Sequence, residues 1–172
     1  MLKAAGRENG FDVIDTCTIE QDGRRISSSW VREELEAGNF AKAAQLLGKP
    51  FTITGRVVHG QRLGSQLGVP TANVHLKRFR APLTGVFVVE VCCDGERLPG
   101  VANVGVRPTV GDLVEPLLEV HLLDWQGDMY GKRIVVEFLE KIREEKQFSG
   151  VDELLEHIHA DIDYARAFFA RH

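Results

Sequence analysis

Gly85-Val86-Phe87-Val88-Val89-Glu90-Val91-Cys92-Cys93, then Asp94-Gly95, then Glu96-Arg97-Leu98-Pro99-Gly100-Val101-Ala102-Asn103-Val104-Gly105-Val106, reads as two strands folded back on each other. The first run is dominated by valine and phenylalanine, residues that favour a pleated surface. Asp-Gly accepts the positive φ angles of a tight hairpin turn, so the second run, from Arg97, pairs antiparallel with the first.

Working outward, the same alternating pattern recurs at Phe51 to Val58, Leu117 to Asp124 and Arg133 to Lys141, with turn chemistry at Gly111-Asp112 and Gln126-Gly127. No helical crossover lies between these strands, which excludes a parallel sheet. An antiparallel sheet of short strands removes its exposed edges by closing, so the spacing predicts a small Greek-key barrel. After it, Val151, Leu154, Leu155, Ile158, Ile162, Ala165 and Phe169 recur at three-and-four spacing. They predict a C-terminal helix packed on the barrel. Its other face, with Asp152, Glu153, Glu156, Asp163 and Arg166, reads as solvated. Before the barrel, Ser27-Ser28-Ser29 predicts the N-cap of a short helix stopped by Gly38. Asn39 predicts the cap of a second, ending at Gly48. Residues 1 to 26 are polar, and only Phe11 to Ile14 suggests a short strand.

Composition narrows the function. The chain has 172 residues, 44% hydrophobic, with 21 Lys and Arg against 25 Asp and Glu. A net charge of -4 gives no global attraction to nucleic acid or to anionic lipid. Lys77-Arg78-Phe79-Arg80 is the only local hint of a nucleic-acid partner. No apolar run reaches membrane-spanning length and the N-terminus carries no secretory signal, so a cytoplasmic location is expected. Three cysteines without a CxxC pair and six scattered histidines without HExxH indicate neither a zinc site nor a disulfide framework.

The densest segment for chemistry is Gly60-Gln61-Arg62-Leu63-Gly64-Ser65-Gln66-Leu67-Gly68-Val69-Pro70-Thr71-Ala72-Asn73, with a glycine every four residues. Such a loop can turn N–H groups toward phosphate, with Arg62 adding charge, though its spacing is neither P-loop nor Rossmann and a plain surface loop fits it too. Thr71 and Asn73 share a face of an extended segment. Together they can hold a magnesium ion beside nucleotide phosphates, or simply cap a turn. Glu119 and His121 lie on one face of an apolar strand. Partial burial would raise the Glu119 pKa toward the range of a general base, whereas a strand-edge glutamate would face water. His121 reads as a packed, hydrogen-bonded histidine. Arg143 and Phe148 bracket a charged stretch after the last strand and could clasp a planar ligand.

Taken in order, several motifs resemble the riboflavin kinase module found at the C-terminus of bacterial bifunctional riboflavin kinase/FAD synthetases. They are Gly55 to Gly60, Gly64, Gly68, Pro70-Thr71-Ala72-Asn73, Pro82, Gly85-Val86-Phe87, Gly100 to Thr109, Glu119-Val120-His121, Tyr130-Gly131 and Arg143 to Phe148. The likeness runs from about Gly48 to Phe168. Upstream, Ile26-Ser27-Ser28-Ser29-Trp30-Val31-Arg32 resembles the segment closing the family's adenylyltransferase domain. The resemblance therefore implies a remnant or linker over residues 1–47 and a kinase domain over 48–172. It implies a mainly β fold, a six-stranded antiparallel Greek-key barrel with a C-terminal helix and short N-terminal helices.

The implied reaction is transfer of the ATP γ-phosphoryl group to the 5′-hydroxyl of riboflavin, giving FMN. By the same resemblance Thr71 and Asn73 bind Mg2+ and nucleotide phosphate, and Gly60, Arg62, Gly64 and Gly68 belong to the ATP loop. Glu119 is implied as the catalytic base, and Arg143 and Phe148 as borders of the flavin. Val106 stands where the family pattern has threonine, and Val69 where an aromatic is common. No His-x-Gly-His motif occurs, so FAD synthesis is not expected of this sequence, although the module is normally fused to an FMN adenylyltransferase domain. A flavin-binding module without catalysis is the alternative, and it has no use for Thr71, Asn73 and Glu119 together.

Overall fold

A computed structural model describes residues 2–14, 17–60, 64, 67–76, 83–108 and 114–171. The elements are α1 (Leu2–Asn9), β1 (Glu20–Gln21), β2 (Arg24–Arg25), α2 (Ser28–Glu36), α3 (Phe40–Leu47) and β3 (Thr52–Val58). They continue with β4 (Ala72–His75), β5 (Gly85–Cys93), β6 (Glu96–Pro108), β7 (Val114–Leu122), β8 (Arg133–Arg143) and α4 (Val151–Phe169). The last six strands close into a barrel in the order β3-β4-β7-β6-β5-β8, every pair antiparallel. Strand β4 lies beside β7 at the far side of the β5-β6-β7 meander, which is the Greek-key arrangement the spacing predicts. Asp94 and Gly95 both have positive φ, 51° and 88°, as the two-residue turn requires. Two register shifts between β5 and β8 supply the extra bend that closure needs.

Alternation along the strands divides the molecule into an inside and an outside. Val57, Val74, Phe87, Val89, Val91, Ala102, Val104, Leu118, Val120, Ile134 and Val136 fill the interior. A second apolar cluster lies on the outer wall, where Val86, Val88 and Val101 receive Ile162, Ala165 and Phe168 of α4. The buried residues of α4 thus include Phe168, while Val151 at the start of the expected stripe is exposed. One end of the barrel is plugged by the α2–α3 pair. Phe40 of α3 packs against Phe87 and Phe138 at ring separations of 5.8 and 6.1 Å, and Leu35 and Ala43 belong to the same core. Lys141 of β8 donates to the carbonyl of Glu36 at 3.1 Å, tying the plug to the wall.

Local chemistry explains the helix ends. Ser27 accepts from the Trp30 amide at 3.2 Å, as expected of an N-cap, and Gly38 and Gly48 take the left-handed conformation that stops α2 and α3. Asn39 departs from expectation: it makes no side-chain cap, because its amide donates instead to Glu34 at 2.9 Å. Phe11 to Ile14 is not a strand; among the described residues of the N-terminal segment the regular elements are α1 and the small β1–β2 hairpin. The expected turn at Gly111-Asp112 and the basic stretch Lys77 to Arg80 lie outside the described residues. Among the described residues no helix is long and apolar enough to cross a membrane.

Candidate active site

The side chains that alternate outward from β4, β7 and β6 build the site. Asn73 pairs directly with Glu119, and Glu119 in turn with Asn103, so an amide, a carboxylate and an amide form one row across three neighbouring strands. Directly opposed residues of an antiparallel ladder hold their Cβ atoms about 4.5–5.5 Å apart. Each is outward because its neighbours are inward: Val74, Leu118, Val120, Ala102 and Val104 are all in the core. Asn73 is buried, 8% exposed, and Glu119 is half-buried.

The row forms the floor of a cavity of about 390 Å³ on the outer wall of the barrel. Gly64, Thr71, Asn73, Glu119, Arg143 and Phe148 all line it, so the structure brings these expected site residues together. Gly60 acts one layer back. A Cβ at that position would lie 2.5 Å from Cγ of Asn73, so the glycine makes room for the buried amide. Gly64 is closed over in a similar way, with Thr71 Oγ1 3.3 Å from where its Cβ would be. The Gly64 carbonyl accepts from the amides of Leu67 and Val69 at 3.1 and 2.8 Å, which folds this segment on itself. Gly68 is exposed and does not line the cavity; its φ of 78° makes the turn into Val69 and Pro70. Arg62 lies outside the described residues.

His121 is half-buried and its Nδ1–H donates to the Pro70 carbonyl at 2.8 Å, since a carbonyl can only accept. It therefore pins the Pro70-Thr71 corner to the strand that carries Glu119. A second cavity of about 290 Å³ adjoins the first, lined by Pro70, Thr71, Trp125, Met129 and Tyr130 among others. Thr71 belongs to both cavities. The Tyr130 ring stacks on His59 at 4.0 Å between centroids.

The opposite wall comes from the end of β8, the segment after it, and α4. Arg143 forms a fork with Asp161, Nε and Nη2 donating at 2.8 to 3.2 Å, and lies 5.6 Å from the centroid of the Phe148 ring. Lys146 donates to Glu153, which also accepts from the amide and hydroxyl of Ser149. The Lys146 ammonium, with the two Ser149 donors, holds the Glu153 carboxyl down to about 2. Glu145 reaches across to β6: a Cβ at Gly105 would lie 2.8 Å from Cδ of Glu145.

Sequence reasoning missed Asn103, Glu145 and Asp161. Asn103 sits inside a quoted motif, and its alternation with Ala102 and Val104 places it outward. Asp161 is an acid within the apolar stripe of α4, next to Ile162 and three residues from Ile158, which was its available signal.

These features define a small closed-barrel protein that carries its site on the outer wall, roofed by a C-terminal helix, rather than in the barrel mouth. The chain belongs to the riboflavin kinase family: the family model, described as Flavokinase, matches residues 47–169. It is 53% identical over 169 residues to a bifunctional riboflavin kinase/FMN adenylyltransferase of Pseudomonas fluorescens, and 51% identical over 170 residues to one of Escherichia coli. Each alignment covers 98% of this chain and 54% of the relative, so the chain spans about half the length of these relatives. Among solved structures, riboflavin kinase from Trypanosoma brucei aligns with a TM-score of 0.50 and 26% identity, covering 70% of this chain and 80% of its own. A Streptococcus pneumoniae protein described as a macrolide-efflux protein aligns with a TM-score of 0.76 and 34% identity, covering 95% of this chain and 54% of its own.

Proposed function

We propose that this chain phosphorylates the ribityl 5′-hydroxyl of riboflavin with ATP, releasing FMN and ADP. The observation that carries the reading is the direct pairing of Glu119 with Asn73 on the floor of one cavity, with Thr71 at the boundary to a second. The larger cavity suits the flavin. Its apolar side is formed by Val86, Val101, Leu117, Leu154, Ile158 and Ile162. Arg143 and Phe148 stand at its border. The adjoining cavity, with Trp125, Met129 and Tyr130, suits the nucleotide base.

In this arrangement the triphosphate runs past Thr71 and Asn73, beneath the glycine segment that includes Gly60, Gly64 and Gly68. The terminal phosphoryl group then meets the flavin hydroxyl from the opposite side, the in-line approach that phosphoryl transfer requires. Glu119 accepts the hydroxyl proton as the ribityl oxygen bonds to the γ-phosphorus and ADP departs. The half-buried Thr71 hydroxyl and buried Asn73 amide oxygen fit Mg2+, which takes neutral oxygens where phosphates supply the charge. When bound, the ion would offset the phosphate charge. His121 keeps the Pro70-Thr71 corner in register with Glu119.

We assign the kinase unit to residues 48–172 and residues 1–47 to the remainder of an adenylyltransferase half. The α2–α3 pair is a shared border, since it plugs the barrel. These 172 residues contain no His-x-Gly-His motif, so the activity proposed for them is the kinase reaction alone. ATP as donor and three unpaired cysteines suit the cytoplasm. The test is chromatography of a mixture of the chain with ATP, Mg2+ and riboflavin: FMN should accumulate in step with ADP. Riboflavin bound but unchanged would overturn the kinase reading and leave a flavin-binding module.

A further inference from the structure

Asp161 is a buried carboxylate, 6% exposed, on the face of α4 that otherwise carries Ile158, Ile162 and Ala165. A carboxylate in such a place is strongly disfavoured unless a cation meets it with good geometry. Arg143 does so: Nε lies 3.0 and 3.2 Å from the two carboxylate oxygens, and Nη2 lies 2.8 Å from Oδ2. Nη1 donates to the Glu144 carbonyl at 3.1 Å. One edge of the guanidinium fork is therefore filled by Asp161, and a third nitrogen is tied to the chain. The guanidinium carbon lies over the Phe148 ring, 5.6 Å from its centroid.

A guanidinium can recognise a ligand with its N–H edge, which suits carboxylates and phosphates, or with its flat face, which suits aromatic rings. In Arg143 the edge is largely committed within the protein. We propose that Asp161 is a positioning residue: it holds the plane of Arg143 at the border of the larger cavity, so that Arg143 meets a flat heteroaromatic ring rather than a phosphate. This rests on the flavin reading of that cavity and deepens it. Two consequences separate this role from a structural tie between β8 and α4. Loss of Asp161 should act on flavin and not on nucleotide, and it should act only through Arg143.

The test is a double-variant cycle on the full chain, read by quenching of riboflavin fluorescence and by the KM values for riboflavin and Mg-ATP. Asp161→Asn should weaken riboflavin binding and raise its KM by about tenfold, the scale of a cation–π contact, with the Mg-ATP KM unchanged. In an Arg143→Ala background the same substitution should cost nothing further. Equal losses in both backgrounds, or wild-type affinity in Asp161→Asn, would overturn the proposal. Arg143→Lys keeps the charge and loses the planar fork, so it should show the same flavin-selective loss. If Asp161→Asn does not fold, wild-type flavin affinity in Arg143→Lys overturns the proposal and a tenfold loss supports it. Failure of the unaltered chain to bind riboflavin would instead refute the flavin reading itself.

Discussion

Leu118 and Glu119 are joined by one peptide bond, yet the first is fully buried in the barrel and the second forms part of the cavity floor outside it. Chemistry at single residues can therefore be tested without unfolding the protein. Glu119→Gln keeps size and hydrogen bonding but removes the proposed base. FMN formation should fall about a hundred- to ten-thousand-fold while riboflavin binding measured by fluorescence stays near normal. Near-normal turnover would exclude Glu119 as the base. Gly60→Ala probes the proposed nucleotide side, because its methyl would displace the Asn73 amide. The KM for Mg-ATP should rise with little change in the riboflavin KM, and an equal rise in both would count against a role confined to nucleotide. At this scale Glu119 was readable because a carboxylate interrupts an otherwise apolar strand, whereas Asn103, an amide within a similar alternation, was not singled out. Asp161 shows in the sequence only as an acid within the apolar stripe of α4, and its role was not legible there, because the partner that makes a buried acid tolerable lies 18 residues earlier on a different element.

Elements were legible in proportion to their length and periodicity. Strand β5 has the bounds its valine run implies, whereas β4 has four residues and no pattern of its own, and its strand character comes from pairing with β3 and β7. The hairpin β1–β2 is two residues a side and leaves no periodic trace. Strand register, which decides that Asn73 faces Glu119, is a property of pairs of elements and cannot be counted along one of them. The junction between the Arg143 to Phe148 segment and α4 gives a prediction at this scale. Glu153 ties Lys146 and Ser149 to the first turn of the helix, and its carboxyl sits at about 2 instead of the ordinary 4.5. A carboxyl lowered on folding contributes fully above its unfolded value and loses that contribution as pH falls through the folded one. The junction should therefore hold at neutral pH and loosen between about 4.5 and 2. NMR titration of the Glu153 side-chain carbon should give a midpoint near 2, and Glu153→Gln should remove the pH dependence of the Lys146 and Ser149 signals over that window. A midpoint of 4.5 or higher would sink this account.

For the molecule as a whole, the α2–α3 plug makes the barrel depend on sequence that precedes it. Phe40 is 6% exposed and meets Phe87 and Phe138, which are among the most buried residues of the wall. Phe40→Ala should cost about 3–5 kcal/mol in urea unfolding, the usual range for a buried phenylalanine, although the residue lies outside both cavities. A loss below about 1 kcal/mol would show that the plug is dispensable. The two-sided wall has a further consequence for how this protein can change. Strand β7 devotes Leu118 and Val120 to one side and Glu119 and His121 to the other, so inserting or deleting a single residue within it would trade the two sets. Oil would then face the ligand and acid would face the oil. Indels in β7 are thus barred twice over, and diversification of the binding wall is left to point substitutions on the outward positions and to the helix that roofs them.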